Sequence, residues 1–231
     1  MKESTAFKTV KSKFKSAFER ILERQNNYEI DEAALPAYAH RNPLIDYLFW
    51  QRIKVAADYA NKNSRGKKVL DFGCGSGVLS YLMATNGYMV TACDIEFRPL
   101  ALVKKEIQFP EEIEFIEGDI ITEQLPKQSF DVIFALDVLE HIDNLEDYIH
   151  VFNELLTADG LLIISGPTEN LLYKIGRKLA GNRFTGEYHV TNISKIKAKF
   201  SVYNSVETIK KLIFPFILFE VFVAKKIEKA N

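Results

Sequence analysis

Val69-Leu70-Asp71-Phe72-Gly73-Cys74-Gly75-Ser76-Gly77 is the stretch that decides the fold. A short apolar run carrying one acid leads into three glycines at alternate positions, and the helix-forming Val78-Leu79-Ser80-Tyr81-Leu82-Met83 follows. A glycine-rich turn between a strand and a helix lets a ligand approach the backbone closely and offers it amides at the helix N-terminus. The dinucleotide fingerprint G-x-G-x-x-G would need glycine at position 78, and this chain has Val78. The spacing here is G-x-G-x-G, with Asp71 two residues ahead of the first glycine. A carboxylate beside such a cleft repels a pyrophosphate and attracts a cation.

Outward from this turn, short apolar runs alternate with helix-like segments. Tyr88–Cys93, Ile113–Ile116, Phe130–Leu136 and Leu161–Ser165 read as further strands. Gly77–Asn86, Leu100–Gln108 and Leu145–Leu156 read as helices, the last closed by Ala158-Asp159-Gly160. Continuous apolar strands joined by helices predict a parallel sheet covered on both faces. The tail differs: Phe200–Phe214 and Phe216–Lys226 are two runs rich in β-branched and aromatic residues around Pro215, which predicts an antiparallel hairpin at the sheet edge. Five parallel strands and a hairpin make seven. Ahead of the turn cluster Asn63-Ser64-Arg65-Gly66, residues 1–64 read as helical, with Phe7, Val10, Phe14, Phe18, Ile21 and Leu22 at three- and four-residue spacings. Pro36 and Pro43 divide this region, and a second helix is expected over Leu44–Asn61. The expected organisation is an N-terminal helical extension or lid over 1–64 and an α/β domain over 65–231.

Composition narrows the function. The chain has 231 residues with 30 Lys+Arg against 31 Asp+Glu, a formal net charge of −1, which gives no global attraction to nucleic acid. Hydrophobic residues at 47% argue against disorder. Two cysteines, Cys74 and Cys93, are too few for a disulfide scaffold and fit free thiols in a reducing compartment. The lysine-rich start has no apolar core of a signal peptide behind it, and Leu212–Ala224, broken by Pro215 and Glu220, is too short to span a bilayer. A soluble, cytoplasmic domain is expected, with oligomeric state left open.

Two more acids follow the first at strand ends. Asp94 closes the second strand about 20 residues after the glycine turn, where a carboxylate accepts from ribose hydroxyls. Asp119, in Gly118-Asp119-Ile120, follows the third strand, where its carboxylate can meet an adenine amino group. Each acid alone reads as a loop residue or a cap. Three at consecutive strand C-termini read as a site, because α/β sheets bind ligands there.

These residues, with Phe130-Asp131-Val132-Ile133, resemble the successive motifs of class I S-adenosylmethionine-dependent methyltransferases. Asp137-Val138-Leu139-Glu140-His141 is similar to the variant of the small-molecule subgroup that includes ubiquinone-biosynthesis-type enzymes. The motifs cover residues 67–166. The resemblance implies a Rossmann-like, doubly wound, seven-stranded sheet, mainly parallel, ending in an antiparallel hairpin that carries it to about residue 226. It implies S-adenosyl-L-methionine as cofactor, held by Asp71, Gly73, Cys74, Gly75, Gly77, Asp94, Ile95, Asp119, Ile120, Leu136 and Asp137. A sulfonium cofactor with adenosine and no phosphates suits an acid-rich cleft. The expected function is methyl transfer by direct displacement to a small-molecule acceptor, of which a lipid-linked compound is one form, through oxygen, nitrogen or carbon. The alternatives are a non-catalytic cofactor-binding regulatory module and a methyltransferase acting on a macromolecule.

Direct displacement asks the protein to align nucleophile and methyl group and, for some acceptors, to remove a proton. His141, after the fourth strand, reads either as a general base or as a loop cap. His189 lies in the segment where this fold builds its acceptor pocket and is the second catalytic candidate, whereas His150 falls within a helix and reads as packing. Asp137, Glu140 and His141 stand at i, i+3, i+4, one face of a helical turn. Some relatives with E-x-x-E-H here use a metal, yet the first acid is the shorter Asp, and no metal is included in the expected site. Tyr38, His40, Tyr47, Phe49 and Trp50 read either as a lid over the cleft or as helix packing. Phe7–Lys15 and Leu171–Leu179 are basic and amphipathic, either membrane-facing or lysine faces over packed apolar ones, with peripheral membrane contact not favoured.

Overall fold

A computed structural model describes residues 4–24, 43–168, 192–213 and 217–227. Chain order is α1 (Thr5–Arg24), α2 (Pro43–Asn63), β1 (Lys68–Phe72), α3 (Val78–Thr85), β2 (Met89–Asp94), α4 (Arg98–Lys104), β3 (Ile113–Glu117) and β4 (Phe130–Leu136). A 3-10 turn at Leu139–His141 precedes α5 (Leu145–Leu155), β5 (Leu156–Pro167), α6 (Ile193–Tyr203), β6 (Asn204–Ile213) and β7 (Ile217–Lys226). The seven strands form one sheet in the order β3-β2-β1-β4-β5-β7-β6. The first five are parallel, and β7 joins β5 antiparallel with β6 outside it. The hairpin therefore enters with its second strand inward.

The apolar runs of the central strands follow from burial on both faces. Val69, Val132, Phe134, Leu161, Ile163, Val221 and Val223 face one core, shared with α1, α2, α3 and α4. Leu70, Ile133, Ala135, Leu162, Ile164, Phe222 and Ala224 alternate with them and face a second core, shared with α5 and α6. The order reverses between β1 and β4, so the C-terminal ends of β1, β2 and β4 open on one crevice.

The N-terminal helices are part of the first layer. Phe7, Val10, Phe14, Ala17, Phe18 and Ile21 of α1 are buried as one stripe, and Phe14 packs edge-on against Phe18, Tyr81 and Phe109. The Ser4 hydroxyl accepts from the Phe7 amide at 3.2 Å and caps the helix start. Its basic residues clip onto the domain: Lys11 and Lys15 reach Asp46 of α2 at 2.7 Å, and Arg20 and Arg24 both reach Glu106. The amphipathic face of α1 is thus turned into the protein and is not available to a bilayer. Among the described residues no helix is long and apolar enough to cross a membrane. Leu171–Leu179 lies outside the described residues.

Two elements differ from expectation. Phe200–Tyr203 is the last turn of α6, not the start of a strand. Ile193, Ile196 and Phe200 bury one helical face, and the Asn192 side chain caps the helix by accepting from the Lys195 amide at 3.0 Å. The β-branched run starting at Val202 masked a 3.6-residue period that ends just before it. In β5 the expected turn Ala158-Asp159-Gly160 lies inside the strand, where the register passes from Phe130–Leu156 directly to Val132–Leu161. The turn residues bulge out without ending the strand.

Candidate active site

The site is built on the glycine turn. Gly73, Gly75 and Gly77 all have positive φ, at 75°, 51° and 77°. At Gly73 a Cβ would stand 2.6 Å from the Val138 side chain, so glycine there admits the turn after β4. At Gly75 a Cβ would meet nothing within 4 Å, so this glycine faces open space. One glycine closes the packing and the other leaves room for a ligand.

The turn is tied to β2. The Gly73 and Cys74 amides donate to the Cys93 carbonyl at 2.8 and 3.1 Å, and the Gly75 amide donates to Asp94 Oδ2 at 2.7 Å. Asp94 Oδ1 accepts from the Glu96 amide at 3.3 Å. Burial raises the Asp94 carboxyl, and the backbone donors act against that rise. A carboxylate has about four acceptor positions, so a diol can still bond to it. Ile95, next along, is 77% exposed, an apolar side chain beside the cleft rather than in the core.

Asp71 differs from its reading as a cleft carboxylate. It is 3% exposed, and its Oδ2 accepts from the buried Ser80 hydroxyl at 2.5 Å. Burial pushes its carboxyl up to about 6 despite the Ser80 hydrogen bond. Asp71 therefore fastens α3 to β1 beneath the turn. Asp119 is half-buried; its Oδ1 accepts from the Ile121 amide at 3.0 Å and its Oδ2 from the Tyr148 hydroxyl at 2.6 Å. Ile120 is buried among the α5-side residues. Tyr148, on α5, packs on Phe72 with ring centroids 5.6 Å apart. It holds Asp119 from a site 29 residues downstream, a link with no local sequence signal.

Across the crevice the turn after β4 is made of side chains. Leu136 is half-buried, and Asp137 takes the left-handed region at φ 54°. Its amide donates to the Ser165 carbonyl at 3.0 Å, its Oδ1 accepts from the Ser165 hydroxyl at 3.1 Å, and its Oδ2 pairs with Arg52 of α2. Arg52 is 3% exposed, with its guanidinium carbon 4.2 Å from the Phe49 ring centroid and 4.5 Å from that of Phe219. Phe49 thus packs in this corner, Trp50 is a core residue at 1% exposure, and Tyr47 stands 52% exposed. Tyr38 and His40 lie outside the described residues.

Glu140 is 1% exposed, and its Oε2 has no hydrogen-bond partner among the described residues. Burial, then the Asp137 charge, raises its carboxyl, and the Arg52 charge lowers it less. His141 is exposed at the rim of the same turn, so the two do not share a face. His189 lies outside the described residues. Cys74 and Cys93 are buried, and desolvation first, then nearby acids, pushes both thiols up, Cys93 to about 12. Neither supplies a thiolate nucleophile.

The sequence profile of a methyltransferase domain matches residues 40–205 of the chain. The chain belongs to the methyltransferase-domain family. The mitochondrial ubiquinone biosynthesis O-methyltransferase of Schizosaccharomyces pombe is 35% identical over 114 residues, 48% of this chain and 41% of that protein. The chain thus spans less than half the length of this relative. A Pyrococcus horikoshii protein of known structure superposes with a TM-score of 0.65 at 19% identity, over 83% of this chain and 96% of that one. The 1,6-didemethyltoxoflavin-N1-methyltransferase of Burkholderia thailandensis, solved with its substrate and S-adenosylhomocysteine, superposes at 0.60 and 16% identity, over 92% and 90%. The motifs that resemble those of class I, S-adenosylmethionine-dependent methyltransferases all lie within the matched residues. The chain's residues fit that cofactor: the space at Gly75 admits it, and a fixed carboxylate at Asp94 with an exposed Ile95 beside it suits a nucleoside.

The metal reading fits less well. Asp137 is engaged by Arg52 and Ser165, Glu140 points into the protein and His141 out of it. Among the described residues no group of three or more His, Cys, Asp or Glu is arranged to hold a metal ion.

Proposed function

We propose that this chain transfers the methyl group of S-adenosylmethionine to an oxygen of a small, hydroxylated acceptor. The observation that carries the cofactor half is the 2.7 Å hydrogen bond from the Gly75 amide to Asp94, which makes glycine turn and ribose acid one rigid unit. The oxygen acceptor is supported by the curated relatives, which are named ubiquinone biosynthesis O-methyltransferases.

The cofactor supplies an electrophilic methyl group on a sulfonium centre. The chain's residues do the rest. The glycine turn approaches the cofactor's amino-acid end through backbone, Asp94 accepts from the ribose hydroxyls, and Ile95 and Asp119 take the adenine. Leu136 and Asp137 border the acceptor side. Holding acceptor and methyl in line supplies most of the rate, because fixed geometry removes the entropic cost of encounter. His141, exposed at the rim of the β4 turn, receives the acceptor's hydroxyl proton. Buried free thiols are consistent with a reducing compartment.

Calorimetric titration with S-adenosylhomocysteine tests the cofactor half. The expected outcome is binding that weakens about 100-fold in Asp94→Ala, the scale of two hydrogen bonds to a charged group, with NAD giving no heat in either protein. Equal binding by the variant would overturn the assignment. A screen of catechols and hydroxybenzoates with labelled cofactor then tests the acceptor; label recovered only on amines would remove the oxygen reading.

A further inference from the structure

The turn after β4 carries two acids in a place almost closed to water. Asp137 keeps a fifth of its side-chain exposure at 21%, and Glu140 keeps 1%. Two carboxylates so placed need a compensating cation or must give up charge. Here a cation is supplied by the fold: Arg52 pairs with Asp137, and Glu140 lies buried in the same turn. Glu220, opposite Gly166 in the sheet, is matched by Lys197 at 2.7 Å.

We propose that Arg52 is the resident cation of this turn, and that the chain needs no divalent metal there. The guanidinium suits the task on three counts. It stays charged at all working pH values and its planar fork matches a carboxylate. Two aromatic faces, Phe49 and Phe219, replace part of its hydration. Its attachment to α2 makes it a fixed part of the fold rather than a ligand in exchange with solvent. Asp137 sits in a left-handed conformation that a non-glycine residue holds only when its surroundings fix it, and Arg52 with Ser165 does so. Asp is also a methylene shorter than Glu and is already drawn to the helix side. A dication would have to displace Arg52 to reach Asp137, with Glu140 buried and His141 exposed at the rim. Arg52 is thus a positioning residue, holding the turn that borders the acceptor.

The inference deepens the reading of the acceptor side, yet its test needs neither acceptor nor turnover. Manganese binding to the full chain is followed by the loss of free-ion EPR signal, and melting is followed in EDTA and in Mn²⁺. The wild type is expected to leave the signal of millimolar Mn²⁺ unattenuated and to melt at one temperature in both. Arg52→Met is expected to melt about 10 °C lower, as breaking a buried pair does in a chain of this size, and to gain Mn²⁺ binding. Adding Asp137→Asn should remove that gain, a response that loss of packing alone does not produce. Stoichiometric Mn²⁺ binding by the wild type, abolished in Asp137→Asn, would overturn the proposal, as would an Arg52→Met protein that melts like the wild type. Should Arg52→Met fail to fold, Arg52→Lys keeps the charge: it is expected to bind no Mn²⁺, and binding by it would be equally fatal. Titration with S-adenosylhomocysteine in the same proteins reports on the cofactor half separately.

Discussion

At the ends of β1, β2 and β3 the protein presents mostly backbone: left-handed glycines, amides that bind the Cys93 carbonyl, and acids fixed by neighbouring N–H groups. At the ends of β4 and β5 it presents side chains, and the chief of these, Arg52, arrives from a helix 85 residues ahead of its partner Asp137. The first half is assembled from residues close in sequence and tolerates little change of backbone. The second is assembled across the fold and depends on burial and charge balance. A turn made of backbone suits a cofactor common to many enzymes, while side chains brought from a distance can be exchanged to suit an acceptor.

The largest effect that separates the halves is expected within the glycine turn itself. Gly73→Ala puts a Cβ at φ 75° and 2.6 Å from Val138, so it strains the backbone and pushes the two halves apart. The expected loss is about 2–4 kcal/mol of stability, read as a lower urea midpoint. Gly75→Ala meets nothing within 4 Å and costs only the strain of its φ of 51°, about 1 kcal/mol. It is nevertheless expected to weaken S-adenosylhomocysteine at least tenfold, because its methyl group fills space left for the ligand. If the two alanines behaved alike in both measurements, the division of labour between these glycines would be lost.

The acceptor side is expected to answer to pH instead. Glu140 holds its proton more tightly folded than unfolded, so the folded state binds more protons above the ordinary Glu value of 4.5. Stability contributed in this way is fully present at low pH and falls as pH rises through the raised folded value. Glu140→Gln keeps the shape and removes the titration. Its urea midpoint should stay flatter between pH 5 and 9 than that of the wild type, with an advantage of about 1 kcal/mol or more at the alkaline end. A wild-type profile no steeper than the variant's would place the Glu140 carboxyl elsewhere.

How much of this was legible in the sequence follows the same division. The strand and helix order up to β5, the seven-stranded mainly parallel sheet and the positions of Asp94 and Asp119 at strand ends are readable, because each depends on a local period or on spacing from Gly73. Asp71 stands at the expected strand end but in a different environment, since nothing local says that Ser80, nine residues on in α3, meets the carboxylate in the interior. Asp137, Glu140 and His141 do stand at helical spacing, yet the turn is only a 3-10 segment of three residues, and Arg52 decides which way Asp137 faces. No periodicity in the chain pairs Arg52 with Asp137. Helix α6 is a different kind of miss, for Asn192 three residues before Lys195 was a readable cap obscured by the strand-like residues after it.

The smallest predicted effect joins the halves, because Tyr148 stands on the α5 side and acts on the cofactor side. Tyr148→Phe removes the 2.6 Å hydrogen bond to Asp119 but keeps a ring to pack on Phe72, so the melting temperature should barely move. Asp119 is only half-buried, and water can take the place of the lost donor. S-adenosylhomocysteine should therefore weaken about 3- to 5-fold, near the value of one neutral hydrogen bond. The informative quantity is the ratio to the inosine analogue, in which a carbonyl replaces the adenine amino group. If Tyr148 holds Asp119 ready to accept from that amino group, the variant loses part of the preference for adenine. If both ligands weaken by the same factor, Asp119 does not read the base, and Tyr148 merely ties α5 to the end of β3.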